Sequence, residues 1–239
     1  MIRKIVFFFF SSLLILIAAI LFQSVDPEQE KPAISIYQFP DSLSKYSYDL
    51  DSLKALVGET KGLPAGFEEA ALIAFSAYPE LKDVRIDMVL TESGAPMESN
   101  FDIITLFGSG ENRVYKILLN NAPKTNFDPI LLRSLPFDAQ VGILAHELGH
   151  VAYYHKLNTL QIAKWGISYL LDDEFRAIHE RSTDMMTIYH GLGSQIYQYA
   201  WYVRNDPSCR SMYEKFGAEF IDKYYLTDGE IKFAIANLE

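Results

Sequence analysis

The stretch GILAHELGHVAYYH, residues 142–155, decides how this chain is read. Two histidines stand four apart, with a glutamate beside the first, inside an otherwise apolar run. On a helix over 137–156, at ~100° per residue, His146 and His150 lie about 40° apart and reach toward one point. Glu147 lies about 100° from His146 and about 60° from His150, beside that point. Val141, Leu144, Ala145, Leu148, Val151 and Ala152 fill the rest of the wheel, and a helix apolar nearly all round is a buried one. Buried imidazoles need partners. A single zinc ion would partner both, and Glu147 would then be placed to take a proton from a water on the metal, the chemistry behind H-E-x-x-H on a helix. The plain alternative is a pair of satisfied core histidines.

Zinc needs a third protein ligand and keeps a fourth position open. The chain has five histidines. His155 falls about 140° from His150 on the same helix and points elsewhere. The pattern H-E-x-x-H-x-x-G-x-x-H is excluded, because positions 153 and 156 are Tyr153 and Lys156. The better candidate is HERSTD, residues 179–184, on a helix expected over 172–190. Glu180 and Asp184 share one face there, with small residues Ala177, Thr187 and Gly191 close to it on the wheel, so that this helix can approach the first. The opposite stripe of Phe175, Ile178, Met185 and Tyr189 is apolar, so the acidic stripe has a second reading as a solvated face. His179 reads as a bystander.

The remaining sequence frames that site. The chain has 239 residues, 49% hydrophobic and 22% charged, enough for one sizeable core. A formal net charge of −10 argues against nucleic acid as a partner. The one cysteine, Cys209, reads as a free thiol, and there is no CxxC for a thiolate metal site. Arg3 and Lys4 precede an apolar run from Ile5 to Phe22, about 27 Å long as a helix and close to the thickness of a bilayer. The exit from this run lacks an A-x-A-like cleavage site, which favours a membrane anchor over 1–23 against a cleaved signal peptide and a secreted product. Basic residues before the run, and Asp26, Glu28 and Glu30 after it, place the following chain outside the cytoplasm, in a periplasmic or extracellular space. Residues 24–50 carry three prolines and read as a linker, leaving 51–239 as the catalytic domain.

Within that domain a short amphipathic helix ends at Pro79. Three β-like runs follow at 84–90, 101–107 and 113–120, separated by turn-rich segments, and an antiparallel three-stranded meander is the simplest reading. Helices are expected near 137–156, 159–170, 172–190, 194–204, 211–224 and 228–237, with capping boxes at Ser211–Glu214 and Thr227–Glu230. The fold class is α+β: a small antiparallel sheet followed by a helical half. The segment 160–171 is apolar but short and interrupted. It reads as a core helix, a cover over the site or a membrane-surface contact.

HELGH at 146–150 and ERSTD at 180–184, 30 residues after His150, resemble the two motifs of the gluzincin zinc metallopeptidases, H-E-x-x-H and E-x-x-x-D. With HGLGS following, the pattern looks most like the CAAX-prenyl-protease/HtpX-like metalloproteases, over roughly residues 65–195. The resemblance implies a zincin-like fold and a peptide or protein substrate. It implies zinc held by His146, His150 and Glu180, with Glu147 as general base and later proton donor. Asp184 would hydrogen-bond a ligand histidine, His146 first, and fix its orientation. It also implies that the strand 113–120 is an edge strand that pairs with substrate backbone. Multi-span members of that family have several membrane helices, whereas here only the N-terminal span is clear. A partner for the oxyanion is sought among Tyr189, His190, Arg204 and Arg210; His190 is the first choice from its place after the E-x-x-x-D helix. The alternative is a non-catalytic zinc- or peptide-binding envelope protein on a degenerate protease fold.

Overall fold

The computed structural model describes residues 49–92, 95–101, 112–123, 125 and 127–238. The expected anchor over 1–23 and nearly all of the linker over 24–50 lie outside the described residues. Among the described residues no helix is long and apolar enough to cross a membrane.

The described residues begin with α1 (Leu50–Val57), β1 (Lys61–Gly62), α2 (Glu68–Ser76) and a 3-10 turn at Pro79–Leu81. Three strands follow: β2 (Arg85–Thr91), β3 (Met97–Phe101) and β4 (Val114–Asn120). Two further 3-10 turns lead to the helical half: α3 (Phe137–His155), α4 (Thr159–Leu171), α5 (Asp173–Thr187), α6 (Gly193–Asn205), α7 (Arg210–Phe216), α8 (Ala218–Tyr224) and α9 (Asp228–Ala236).

The class is α+β, but the sheet is not a meander. It has four strands in the order β1-β2-β4-β3. β2 and β4 are parallel, in register from Arg85 with Val114 to Thr91 with Asn120, and only β3 with β4 is antiparallel. The strand at 113–120 is therefore central and not an edge. Its composition explains its place: Tyr115, Ile117 and Leu119 are fully buried beneath the helices, and a strand this apolar gains most by having neighbours on both sides. β3 reads MESNF, with few β-favouring residues, and takes the edge as polar strands do. It begins inside a segment that looks like a turn. Of the strand expected at 101–107, Phe101 belongs to β3 and the remainder lies outside the described residues.

α3 is the central helix among the described residues. Leu144, Leu148 and Val151 are fully buried, each worth ~1.5–3 kcal/mol of burial. The helix packs against α2, α5, α6 and β3. Close approach to α6 depends on Gly142: a Cβ there would meet the Gln195 carbonyl oxygen at 2.3 Å and the Ile196 nitrogen at 2.7 Å.

Two helices expected as continuous are broken. The helix expected over 172–190 ends at Thr187 and passes through a five-residue π turn, Ile188–Leu192, with Gly191 at φ 82°. This turn redirects the chain so that α6 runs against α3. The helix expected over 211–224 is divided at Gly217, also at φ 82°. The box between Thr227 and Glu230 forms at α9. The one expected at Ser211 does not, because α7 starts from Cys209 without a side-chain cap. A further box, Asn158 with Gln161, starts α4.

Candidate metal centre

α3 and α5 cross where both carry small residues. A Cβ on Gly149 would meet the Thr183 methyl at 2.9 Å, so glycine allows the two helices to close at the level of the motif. The closure turns Glu180 and Asp184 inward, not to solvent. Their side chains are 6% and 4% exposed, and those of His146 and His150 are 3% and 7% exposed.

Glu180 Oε2 lies 3.2 Å from His146 Nε2 and 3.4 Å from His150 Nε2. One donor atom from each of the three residues falls within 4.8 Å of the others, a buried group that could hold a metal ion. Each donor has a second contact that fixes it. His146 Nδ1 is 2.8 Å from Asp184 Oδ1, and Asp184 Oδ2 accepts the Leu226 backbone N–H at 2.8 Å. His150 Nδ1 is 3.1 Å from His179 Nε2. Glu180 Oε1 accepts the Tyr169 hydroxyl at 2.5 Å.

The electrostatics follow from burial and pairing. Desolvation opposes charge on His146, but the carboxyl groups of Asp184 and Glu180 outweigh it and hold the imidazole well above its ordinary range. Desolvation likewise resists ionisation of Glu180, and His150 and His146 override it, so this carboxyl sits well below its ordinary value. His179 goes the other way: burial, then the charge of His150, lower it to about 3. The contact between His150 Nδ1 and His179 Nε2 engages one nitrogen of each ring, and His150 Nε2 is the atom turned toward Glu180. His179 thus touches the ligand set, inside a box of Tyr153, Trp165, Tyr169 and Phe175 rings, with centroids 4.9–6.3 Å away. No sequence signal separates it from a bystander except its place beside Glu180.

Glu147 is buried beside the cluster and is not one of the three donors. Its Oε2 is 2.6 Å from the Ser99 hydroxyl on β3, which also lies 2.9 Å from the Glu147 carbonyl oxygen. Ser99 is not legible from the sequence, since it sits in a turn-like segment 48 residues away. α4 covers the site: Trp165 and Tyr169 line the cavity while Leu170 and Leu171 are 78% and 83% exposed. Tyr199 and Tyr225 line it as well. The hydroxyls of both are pushed upward, chiefly by burial and then by the charges of nearby carboxylates, so both are neutral donors.

His190 is not brought to this group. Its Nδ1 is 2.8 Å from the Met186 carbonyl oxygen, its Nε2 is 2.9 Å from Glu80, and its ring stacks on Tyr78. The π turn after Thr187 carries it off the acidic face. His155 packs edge-on against Tyr115, away from the cluster. Of the other residues considered for the oxyanion, Arg204 lines the cavity and Tyr189 and Arg210 do not.

The cavity beside the cluster measures about 560 Å³. The histidines and Glu147 stand on one part of its wall, β3 on another and the apolar face of α6 on a third. No protein-family model, curated protein or solved structure matches the chain, so the donor set and this cavity carry the functional reading.

Proposed function

We propose that this protein is a zinc-dependent metallopeptidase that cleaves peptide bonds in the cavity beside His146, His150 and Glu180. The observation that carries the reading is the spacing of the donors. A tetrahedral zinc with ligands at ~2.0–2.2 Å has edges of about 3.3–3.6 Å, and the two Glu180–histidine separations are 3.2 and 3.4 Å. Two histidines and one carboxylate are also the donor set of hydrolytic zinc sites with an open position. The resemblance of HELGH and ERSTD to the gluzincin motifs supports the same reading. So does the apolar N-terminal run for attachment to a membrane, with the domain facing away from the cytoplasm.

When bound, zinc supplies a Lewis acid that polarises the scissile carbonyl and makes water acidic enough to attack near neutral pH. The protein's own groups do the rest. Glu147 takes the proton from the attacking water and delivers it to the amine as the C–N bond breaks. Ser99 holds the Glu147 carboxylate in place, and Asp184 and His179 fix the rings of His146 and His150. Tyr199 and Tyr225 provide neutral hydroxyls on the cavity wall for the carbonyl oxygen as it gains negative charge. β3 replaces the strand at 113–120 as the substrate-pairing edge. The Asn120 N–H bonds to the Pro96 carbonyl. The ladder then alternates so that residues 97, 99 and 101 turn their backbone groups away from β4, to a side on which no described strand pairs.

The test is Glu147→Gln. The variant keeps bound zinc and loses hydrolysis by ~100-fold or more, the scale of a general acid–base contribution. Undiminished hydrolysis in the variant, or a wild-type protein that takes up no zinc, overturns the proposal.

A further inference from the structure

Beyond the tyrosines, the same cavity holds a cation that the proposed hydrolysis does not use. Ile196, Tyr199, Ala200, Val203 and Arg204 line it from α6, at the three- and four-residue spacings of a single helix face. The Arg204 side chain is only 8% exposed. Its Nε donates to Asp222 Oδ1 at 2.8 Å and its Nη1 donates to the Ala200 carbonyl at 3.2 Å, one turn back on its own helix. Its Nη2 is enclosed and has no hydrogen-bond partner among the described residues.

That leftover matters because of guanidinium geometry. A carboxylate that meets arginine side-on takes Nε and a terminal nitrogen together. Asp222, 40% exposed, occupies Nε alone. A buried donor without an acceptor is costly, and native proteins leave few. The Tyr213 hydroxyl interacts with both Asp222 and Arg204, and the apolar side chains Val203, Met212 and Ile221 line the same cavity. Such surroundings suit a ligand with an apolar body and an acceptor at its end.

We propose that Arg204 receives a carboxylate carried by the peptide that occupies this cavity, a short distance beyond the bond to be cut. This inference rests on reading the site as a peptidase. The five-residue step along α6 from Tyr199 to Arg204 rises about 7–8 Å, and an extended peptide advances ~3.3 Å per residue. The carboxylate therefore belongs roughly two residues past the scissile carbonyl. It has two possible sources, the C-terminus of the peptide or the side chain of an Asp or Glu.

Four matched, fluorescently labelled peptides of alanine and phenylalanine separate these sources. One has a free C-terminus and the second is its amide; the third and fourth are amides carrying Glu or Gln near that end. Their binding to zinc-loaded Glu147→Gln protein is read by anisotropy, and their cleavage by wild type as kcat/KM. The carboxylate-bearing members are expected to bind ~10- to 100-fold tighter than their neutral counterparts, the scale of a hydrogen bond to a charged group. Adding Arg204→Met brings that ratio close to one. Preference for the free terminus over its amide assigns the C-terminal carboxylate; preference for Glu over Gln assigns the side chain. Equal binding of all four, or no binding of any, overturns the inference, as does a preference that survives Arg204→Met. The first comparison keeps Arg204 in place, so it decides even where the methionine variant does not fold. A carboxylate preference in binding without cleavage by wild type upholds the inference and removes the peptidase reading. Cleavage of all four at equal rates does the reverse.

Discussion

Replacing Asp184 by asparagine tests how the centre is held together, because the carboxylate serves two donors and an amide can serve one. In the wild type Oδ1 meets His146 Nδ1 at 2.8 Å and Oδ2 meets the Leu226 N–H at 2.8 Å, with the side chain 4% exposed. The amide that takes its place has one acceptor oxygen. If that oxygen stays on His146, the NH₂ group faces the Leu226 N–H, and a buried donor loses its partner at about 1–3 kcal/mol. If the amide turns over, its NH₂ donates to Nδ1 and drives the ring to the other tautomer. The proton then sits on Nε2, the atom that faces Glu180, and His146 is lost as a ligand. The first arrangement lowers stability and spares the metal; the second lowers metal affinity by ~10- to 100-fold, as loss of an orienting partner does. A loss of about 2 kcal/mol in a chain of this size is roughly 4–8 °C in Tm. Zinc affinity by chelator competition and Tm of the metal-free protein, measured on the same preparations, report the two losses separately. A variant with zinc affinity within about twofold of wild type and an unchanged Tm would refute the account of Asp184 as the group that positions His146.

Three other outcomes are expected. Ser99→Ala removes the hydroxyl 2.6 Å from the Glu147 carboxylate; kcat should fall by ~10-fold or more with zinc content unchanged, on the scale of a hydrogen bond to a charged group, and an unchanged kcat would remove Ser99 from the site. Gly142→Ala drives a Cβ into the backbone of α6 at 2.3 Å, so denaturant unfolding should show a loss of about 1–3 kcal/mol or more; wild-type stability would show that the crossing can relax. Asp173 is held below the ordinary carboxylate range by Lys223, then Tyr224 and Arg176. A depressed folded pKa contributes stability that is fully present above the unfolded value near ~3.9 and is lost as pH falls through the folded one. Asp173→Asn should therefore flatten the decline in stability below about pH 4, followed by circular dichroism across a pH series.

How far the sequence carries the fold depends on where each signal resides. α3 is legible because its periodicity and its motif occupy the same 19 residues. Glu180 and Asp184 are legible as a pair, but not as a buried pair: in sequence the apolar stripe of Phe175 and Ile178 looks like the inward face. In the structure Ile178 is 54% exposed and the acids are inside. Hydropathy marks the face that would rather be buried, whereas here small residues at the helix crossing and the donors of α3 decide which face is. The sheet departs from expectation for a related reason. Chain order makes neighbours of consecutive strands, while β4 inserts between β2 and β3 because its side chains need cover on both sides. Ser99, Tyr199 and Tyr225 come to the centre only through tertiary contacts, and no local spacing announces them.

The cost of this centre is itself an argument about its purpose. His146, His150, His179, Glu180 and Asp184 are each at most 6% exposed as whole residues, in a core made mostly of aliphatic and aromatic side chains. Ionic groups buried this deeply gain little net stability from pairing, since desolvation offsets most of the attraction, and apolar residues of similar volume commonly serve a fold as well or better. A chain under selection for packing alone would have no use for such a set where its central helix meets α5. What the set provides, and apolar packing cannot, is two imidazole nitrogens and a carboxylate oxygen converging on one point, with their remaining atoms already tied to Asp184, His179 and Tyr169. Those outer partners hold the donors before any ion arrives, and they do nothing for a core that only needs to be filled. Glu147 completes the case from the other side. It is buried beside the donors, held by a serine from a different element and left out of the donor set, which is the position that the proposed hydrolysis asks of a group that moves a proton and does not hold the ion.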